Sequence, residues 1–315
     1  MAKGKIIIAL GGNALEREGV PATAQSQLAI VEQACGYLAE IVKQGYQIAV
    51  VHGNGPQVGR ILLASEAARQ LTPALPIDVC GAMSEGYIGY HIQQAMRKAL
   101  RGTAQEYLPV VTVVTQVVVD AADPRFQNPT KPIGPFYSEA EARLLAEQKG
   151  YVMREDAGRG WRRVVASPVP RRIVEIESIC GLWQSAIVVA CGGGGVPVVE
   201  QEDGRLAGVE AVIDKDYAAE LLAEQLDADV LLILTRPERV CLNYLLPDQI
   251  GLERMTVAEA ERYMAEGHFA PGSMLPKVEA ALCFVRGKPD KRAIIGPLFK
   301  AVEALEGRAG TLIIA

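Results

Sequence analysis

The chain has 315 residues, enough for one large or two medium domains around a proper core without disulfide or metal staples. Half of the residues are hydrophobic and 22% are charged, with 31 glycines and 18 prolines, which excludes collagen-like and disordered classes. The 32 basic residues against 37 acidic ones give a net charge of -5, so no broad electrostatic attraction draws nucleic acid or an anionic membrane, and any phosphate chemistry must use local cations.

Lys5 to Leu10 reads as a short β-branched strand that stops at Gly11-Gly12-Asn13, followed from Thr23 by an amphipathic helix with Leu28, Val31, Cys35, Leu38 and Val42 on one face. The order recurs. Tyr46 to Val51 ends at His52-Gly53-Asn54-Gly55-Pro56-Gln57, and Val58, Ile61, Leu62 and Ser65 continue at helical spacing. Asp120 to Tyr137 contains four prolines and little periodicity and reads as a loop, after which Ser138-Glu139-Ala140-Glu141 opens a helix as a capping box. Tyr151 to Val165 reads as a hairpin around Gly158-Arg159-Gly160. Ile187 to Ala190 is a third apolar run ending at glycines 192–195, Glu202-Asp203-Gly204-Arg205 is a hairpin turn, and Val230 to Leu234 ends at Thr235-Arg236-Pro237-Glu238. Thr256 to Glu266 and Ser273 to Arg286 read as helices, and Ala293 to Ile295 and Thr311 to Ile314 flank a last short helix. Strands apolar on both faces suit a buried, mainly parallel sheet, so the expected fold is an α/β/α three-layer sandwich. Residues 120–170 are expected to form an inserted, protruding subdomain or lid within a single domain spanning 1–315.

Six cysteines without a C-x-x-C pair and three scattered histidines disfavour a zinc site, and no metal-ligating residues are assigned. Only a short apolar run, Ile6 to Leu10, follows Met1-Ala2-Lys3-Gly4-Lys5, too short for a secretory segment, and no run approaches a membrane span, so a cytoplasmic location is expected. There is no G-x-x-x-x-G-K-[ST], and Gly53-Asn54-Gly55-Pro56-Gln57-Val58-Gly59 is one residue too long for the dinucleotide fingerprint. The loops holding Gly11, Gly12 and Asn13 and holding Gly53, Asn54 and Gly55 each follow a strand and precede a helix, where backbone N–H groups can face an anion.

The lysines are more telling. Lys215 lies between Asp214 and Asp216 at a strand-to-helix junction, and Lys277 follows Pro276 at the start of a helix, where a cation opposes the helix dipole unless an anion sits nearby. Lys131 is wedged among prolines. Singly, each reads as a surface lysine; together, in constrained loops, they point to phosphate neutralisation.

At these residues the chain resembles carbamate kinase, of the amino-acid kinase superfamily. The resemblance runs nearly end to end, through ALGGNAL at 9–15, VHGNGPQVG at 51–59, PIDVCGAMSEGYIGY at 76–90, TQVVVDAADPRFQNPTKPIGPFY at 115–137, GVEAVIDKD at 208–216 and GHFAPGSMLPKVEAAL at 267–282. It implies a homodimer that moves a phosphoryl group between ATP and carbamate with Mg2+, often working from carbamoyl phosphate and ADP. By matching motif positions, Lys131 would reach in from the protruding subdomain, Lys215 and Lys277 would hold the transferring oxygens, and Asp216 would orient those lysines. Gly11, Gly12, Asn13, Gly53, Asn54 and Gly55 would form the substrate cradle, with Asp214, Tyr244, Ser273 and Met274 on the nucleotide side. Core packing is the alternative for Tyr244 and Met274.

The chain departs from the family at Thr235-Arg236-Pro237-Glu238-Arg239-Val240-Cys241, where T-D-V-D-x-V-Y is usual, and at Ile295-Gly296-Pro297-Leu298, where a Thr-Ser pair is usual. Arg236 could pair with a nucleotide phosphate or with Glu238, or the loop could have drifted on the surface. The alternative reading is a catalytically silent nucleotide- or carbamoyl-phosphate-binding paralogue; a third is a kinase for a larger carboxylate.

Overall fold

The computed structural model describes residues 3–12, 15–16, 19–156 and 158–315. Its centre is an eight-stranded sheet in the order Arg254–Thr256, Thr311–Ile314, Arg292–Pro297, Val230–Thr235, Gly4–Leu10, Tyr46–His52, Ile187–Val189 and Val110–Thr112. Neighbours run parallel except Thr311–Ile314 against Arg292–Pro297. The period-2 alternation of the strands splits the core in two. Ile7, Ala9, Ala49, Val51, Leu231 and Ile233 face one side, packed with Ala218 and Leu222 of the helix Lys215–Gln225 and Val278 and Leu282 of the helix Leu275–Val285. Ile6, Ile8, Leu10, Ile48, Val50 and Leu232 face the other, packed with Val31, Cys35 and Leu38 of the helix Ala24–Lys43 and Ile88, Ile92 and Met96 of the helix Ile77–Leu100. Burial on both faces is why these strands read as continuous apolar runs, and it makes the three layers.

From the first strand, the chain moves to Tyr46–His52 on one side and later to Val230–Thr235 on the other, with Ile8 registered against both Val50 and Leu232. Strand order therefore reverses at Gly4–Leu10, and a crevice opens at the carboxyl ends of these three strands, where open α/β sheets bind ligands.

Three features depart from the sequence expectation. The helix Ile77–Leu100 has no counterpart among the expected elements; Gly81, Gly86 and Gly89 interrupt its apolar pattern. A second sheet of four strands, Leu206–Gly208, Val196–Glu200, Gln116–Val119 and Pro170–Ile173, stands beside the first. Lys131 is not in a loop: it opens the strand Lys131–Tyr137, which pairs with Trp161–Val165 and through it with Met153–Glu155. Lys131–Tyr137 tolerates Pro132 and Pro135 because it is an edge strand of that sheet. The expected capping box at Ser138 is present on the helix Glu139–Lys149, and the hairpin turn at 202–205 joins two antiparallel strands. The strand Lys131–Tyr137 abuts the helix Gly55–Ala67 backbone to backbone, since a Cβ at Gly59 would lie 2.9 Å from Gly134 Cα. Among the described residues no helix is long and apolar enough to cross a membrane.

Glycines 192–195 are all buried, and Gly193, Gly194 and Gly195 have φ of 68°, 104° and 82°. A Cβ at Gly194 would overlap the Ile213 carbonyl oxygen, a backbone atom. Gly194→Ala is expected to lower the unfolding free energy by roughly 3 kcal/mol in denaturant titration, from strain plus overlap.

Candidate active site

The ends of the central strands are tied together at the crevice. Gly11 N donates to Leu234 O at 3.1 Å, and Gly53 N donates to Leu10 O at 3.1 Å, extending the parallel ladders one residue past the strands. A Cβ on Gly11 would approach Leu234 O to 3.0 Å, and one on Gly53 would touch the Lys215 stem at 3.4 Å, so both positions keep the backbone open toward the crevice. Asn13 lies outside the described residues. Gly12 is exposed on the rim, and Gly55 opens its helix.

Two helices aim their N-termini at this crevice. Lys215 is the first residue of the helix Lys215–Gln225, capped by Asp214, whose Oδ1 accepts from Asp216 N at 3.0 Å. Lys277 lies in the first turn of the helix Leu275–Val285, with Pro276 preset for a helix start. Both ammonium groups converge on one carboxylate: Lys215 Nζ is 2.5 Å from Asp216 Oδ1 and Lys277 Nζ is 2.8 Å from Oδ2. Asp216 is 2% exposed. Burial alone would push its carboxyl up, but the two lysines outweigh that and hold it well below the usual carboxylate range. Burial pushes Lys215 down, opposed by Asp216 and reinforced by the Lys277 charge, whereas Asp216 overcomes burial at Lys277 and raises it. Two cations on one anion leave one uncompensated positive charge at two positive helix ends, which is an anion site.

Lys131 comes from the three-stranded sheet and pairs with Asp214 at 2.6 Å. The three lysines thus form one linked cluster through Asp214 and Asp216, with Lys131 on its margin.

A cavity of about 720 Å³ opens beside the cluster, lined by Gly11, Gly12, Lys215 and Lys277 together with Asn243, Tyr244, Leu246 and Met274. Ser273 lines it too. Tyr244 is 52% exposed, so core packing does not account for it, while Met274 both lines the cavity and packs on the core. Among the described residues, the lining carries no carboxylate, and no group of three His, Cys, Asp or Glu side chains could hold a metal ion.

Sequence reasoning missed the layer behind the cradle. Asn54 turns inward, its Nδ2 donating to Ser84 Oγ at 2.8 Å, and a Cβ on Gly193 would overlap its amide. His52 is fully buried; its Nδ1 lies 2.8 Å from Gly53 O and must donate, since a carbonyl only accepts, which leaves Nε2 without a partner. Burial, with a smaller push from Lys215, lowers His52 to about 4. Glu85 is buried, accepts from Thr115 N at 2.9 Å, and is pushed well above the carboxylate range by desolvation. His52 lay inside a quoted motif and glycines 192–195 were visible as a run, but only the fold brings the two together.

The sequence and the fold are shared with known proteins. The profile of the amino acid kinase family matches residues 4–296. The chain belongs to the amino acid kinase family, on its carbamate kinase branch. It is 54% identical to the carbamate kinase of Clostridium perfringens over 98% of this chain and 99% of that one, and 53% identical to that of Pyrococcus horikoshii over 98% of each. The solved carbamate kinase from Giardia lamblia bound to AMP-PNP superposes with a TM-score of 0.90 at 45% identity, covering 99% of this chain and 98% of that one. As a carbamate kinase, the chain carries the expected lysines and acids at the crevice and an unusual loop at 235–241 beside it.

Replacing Lys215 or Lys277 by Ala is expected to reduce turnover on the order of 10²-fold or more, the loss typical of one preorganised donor, with the melting temperature tracked to separate misfolding. For His52, the folded ring releases its proton near 4 and the unfolded one near 6.5, so stability declines as pH falls through that window. The stability difference between the unmodified protein and His52→Asn should therefore change by about 3 kcal/mol between pH 7 and pH 4 in urea titrations.

Proposed function

We infer that this chain is a carbamate kinase that moves a phosphoryl group between ATP and carbamate, with Lys215, Lys277 and Asp216 as the charge machinery at the transfer point. The observation that carries the residue assignment is the pair of lysines on one buried carboxylate at two helix N-termini. Carbamate is already an anion with a nucleophilic oxygen, so no general base is needed, and the neutral, buried His52 has no proton to take. Transfer spreads negative charge over the equatorial oxygens of the migrating group, and fixed ammonium groups plus the positive ends of the two helices meet that charge without reorganising, while the N–H groups of Gly11 and Gly53 hold the strand ends in place. Asp216 keeps both lysines charged and aimed, and Asp214 holds Lys131 in place through their ion pair.

The part of the cavity lined by Tyr244 and Met274 takes the adenosine, and Ser273 lines the same cavity. The cradle lies between Gly12 and Gly53, backed by Asn54. Because the cavity offers no set of metal-holding side chains among the described residues, Mg2+ would arrive on the nucleotide phosphates, where it supplies charge neutralisation. Residues 120–170 act as a lid on a single domain of 1–315, carrying Lys131 toward the transfer point and excluding water on closure. The silent-binder alternative gains no support from a cluster in which every charged partner is assembled.

The dimer belongs to this reading as well. Val79, Met83 and Tyr90 lie on one face of the helix Ile77–Leu100 and are 39%, 47% and 54% exposed. That face flanks Val110–Thr112, an unpaired edge of the main sheet. An apolar helix face beside an open sheet edge is self-complementary under two-fold symmetry. A cytoplasmic location is supported by six free cysteines, three of them buried.

Purified protein is expected to form ATP from carbamoyl phosphate and ADP with Mg2+, and Lys215→Ala to lose that activity; ADP binding without turnover in the unmodified protein would instead favour the silent paralogue. Met83→Asp should shift a dimer to monomer in sedimentation velocity; a chain that sediments as a monomer before any substitution removes the dimer.

A further inference from the structure

One cation of the cavity has no role in the mechanism above. Arg236 lines the cavity together with Lys215 and Lys277. It follows the strand Val230–Thr235 directly, and Thr235 Cα is 3.9 Å from where a Gly11 Cβ would stand, so the backbone anchors Arg236 beside the Gly11 turn. Pro237 disfavours a helical conformation at the residue before it, which keeps the loop from closing into a helix there.

Its acidic neighbours are taken. Glu238 pairs with Lys300 at 2.5 Å, which removes the partner the sequence offered, and Arg239 is occupied by Glu253 at 2.9 Å. Among the described residues Arg236 itself makes no ion pair or hydrogen bond, and the cavity lining contains no acid to neutralise it. A free guanidinium on the wall of an acid-free cavity is suited to phosphate oxygens, whose geometry matches its fork of donors.

We propose that Arg236 reads the non-transferred phosphates of the nucleotide and so sets the preference for nucleoside di- and triphosphates over the nucleoside. The proposal rests on the nucleotide reading of the cavity. Lys215 and Lys277 are fixed on Asp216 at the transfer point, whereas Arg236 is exposed and unpaired, so its contact is made in ground state and transition state alike. Its removal acts on the KM for ADP rather than on kcat. Being exposed, the contact weakens with salt.

The test is isothermal titration of the full-length protein and of Arg236→Ala, Arg236→Asp and Arg236→Lys with ATP, ADP and adenosine, at low and high salt, alongside steady-state kinetics. Arg236→Ala should weaken ADP and ATP about tenfold at low salt, as expected for one charge-assisted contact, with adenosine unchanged. Arg236→Asp should weaken them further, Arg236→Lys should restore part of the affinity, and the differences should shrink at high salt. If ADP is weakened no more than adenosine, or all three ligands equally, Arg236 is a solvated or structural residue and the proposal fails. An unmodified protein that binds adenosine and ADP equally refutes the phosphate-reading role alone, whereas one that binds no nucleotide refutes the cavity assignment and the proposal with it.

Discussion

The site depends on one carboxylate. Asp216 is buried where a lone charge would be expelled, and it persists because Lys215 and Lys277 flank it on both oxygens. The dependence is mutual. Each lysine sits at a helix N-terminus, against the local dipole, and Lys215 is pushed toward its neutral form by burial. Without Asp216, two ammonium groups would face each other at two positive helix ends. With it, the cluster is stable as an incomplete arrangement, one negative charge short, and in the proposed function an incoming phosphoryl group supplies the missing anion.

The scaffold holds that cluster by sequence-local means. Parallel strands buried on both faces place their carboxyl ends side by side, and Gly11 and Gly53, the first residues past Gly4–Leu10 and Tyr46–His52, tie those ends together without a side chain to fill the crevice. Behind them, Gly192 comes close enough to His52, and Gly193 to Asn54, that side chains would not fit. The result is a cradle whose rear wall is backbone packed on buried polar side chains, a rigid support for a reaction in which alignment is the main contribution.

Much of this was legible in the sequence. Short apolar runs, most of them followed by a glycine loop, pointed to the sheet and its ligand edge; Lys215 stood out between two acids and Lys277 because a cation is unfavourable at a helix start. What escaped was set by tertiary packing. The helix Ile77–Leu100 has weak amphipathic contrast because one face packs on the core while another stays apolar and exposed, so no polar stripe marks it. The strand at Lys131 was masked by prolines that only an edge position allows. Glu85 and His52 carry no local signature of burial. The pairing of Glu238 with Lys300 joins segments 62 residues apart and could not be read from the loop itself.

The two margins of the main sheet are unlike. At one, the antiparallel strand Thr311–Ile314 and the three-residue strand Arg254–Thr256, with an exposed arginine, offer little template for further pairing. At the other, Val110–Thr112 has no strand on its outer side among the described residues, with Gln93 Nε2 donating to Val110 O at 2.9 Å. A proposed pairing of two copies through this one margin would saturate at two, so the same asymmetry would stop it from propagating into a filament.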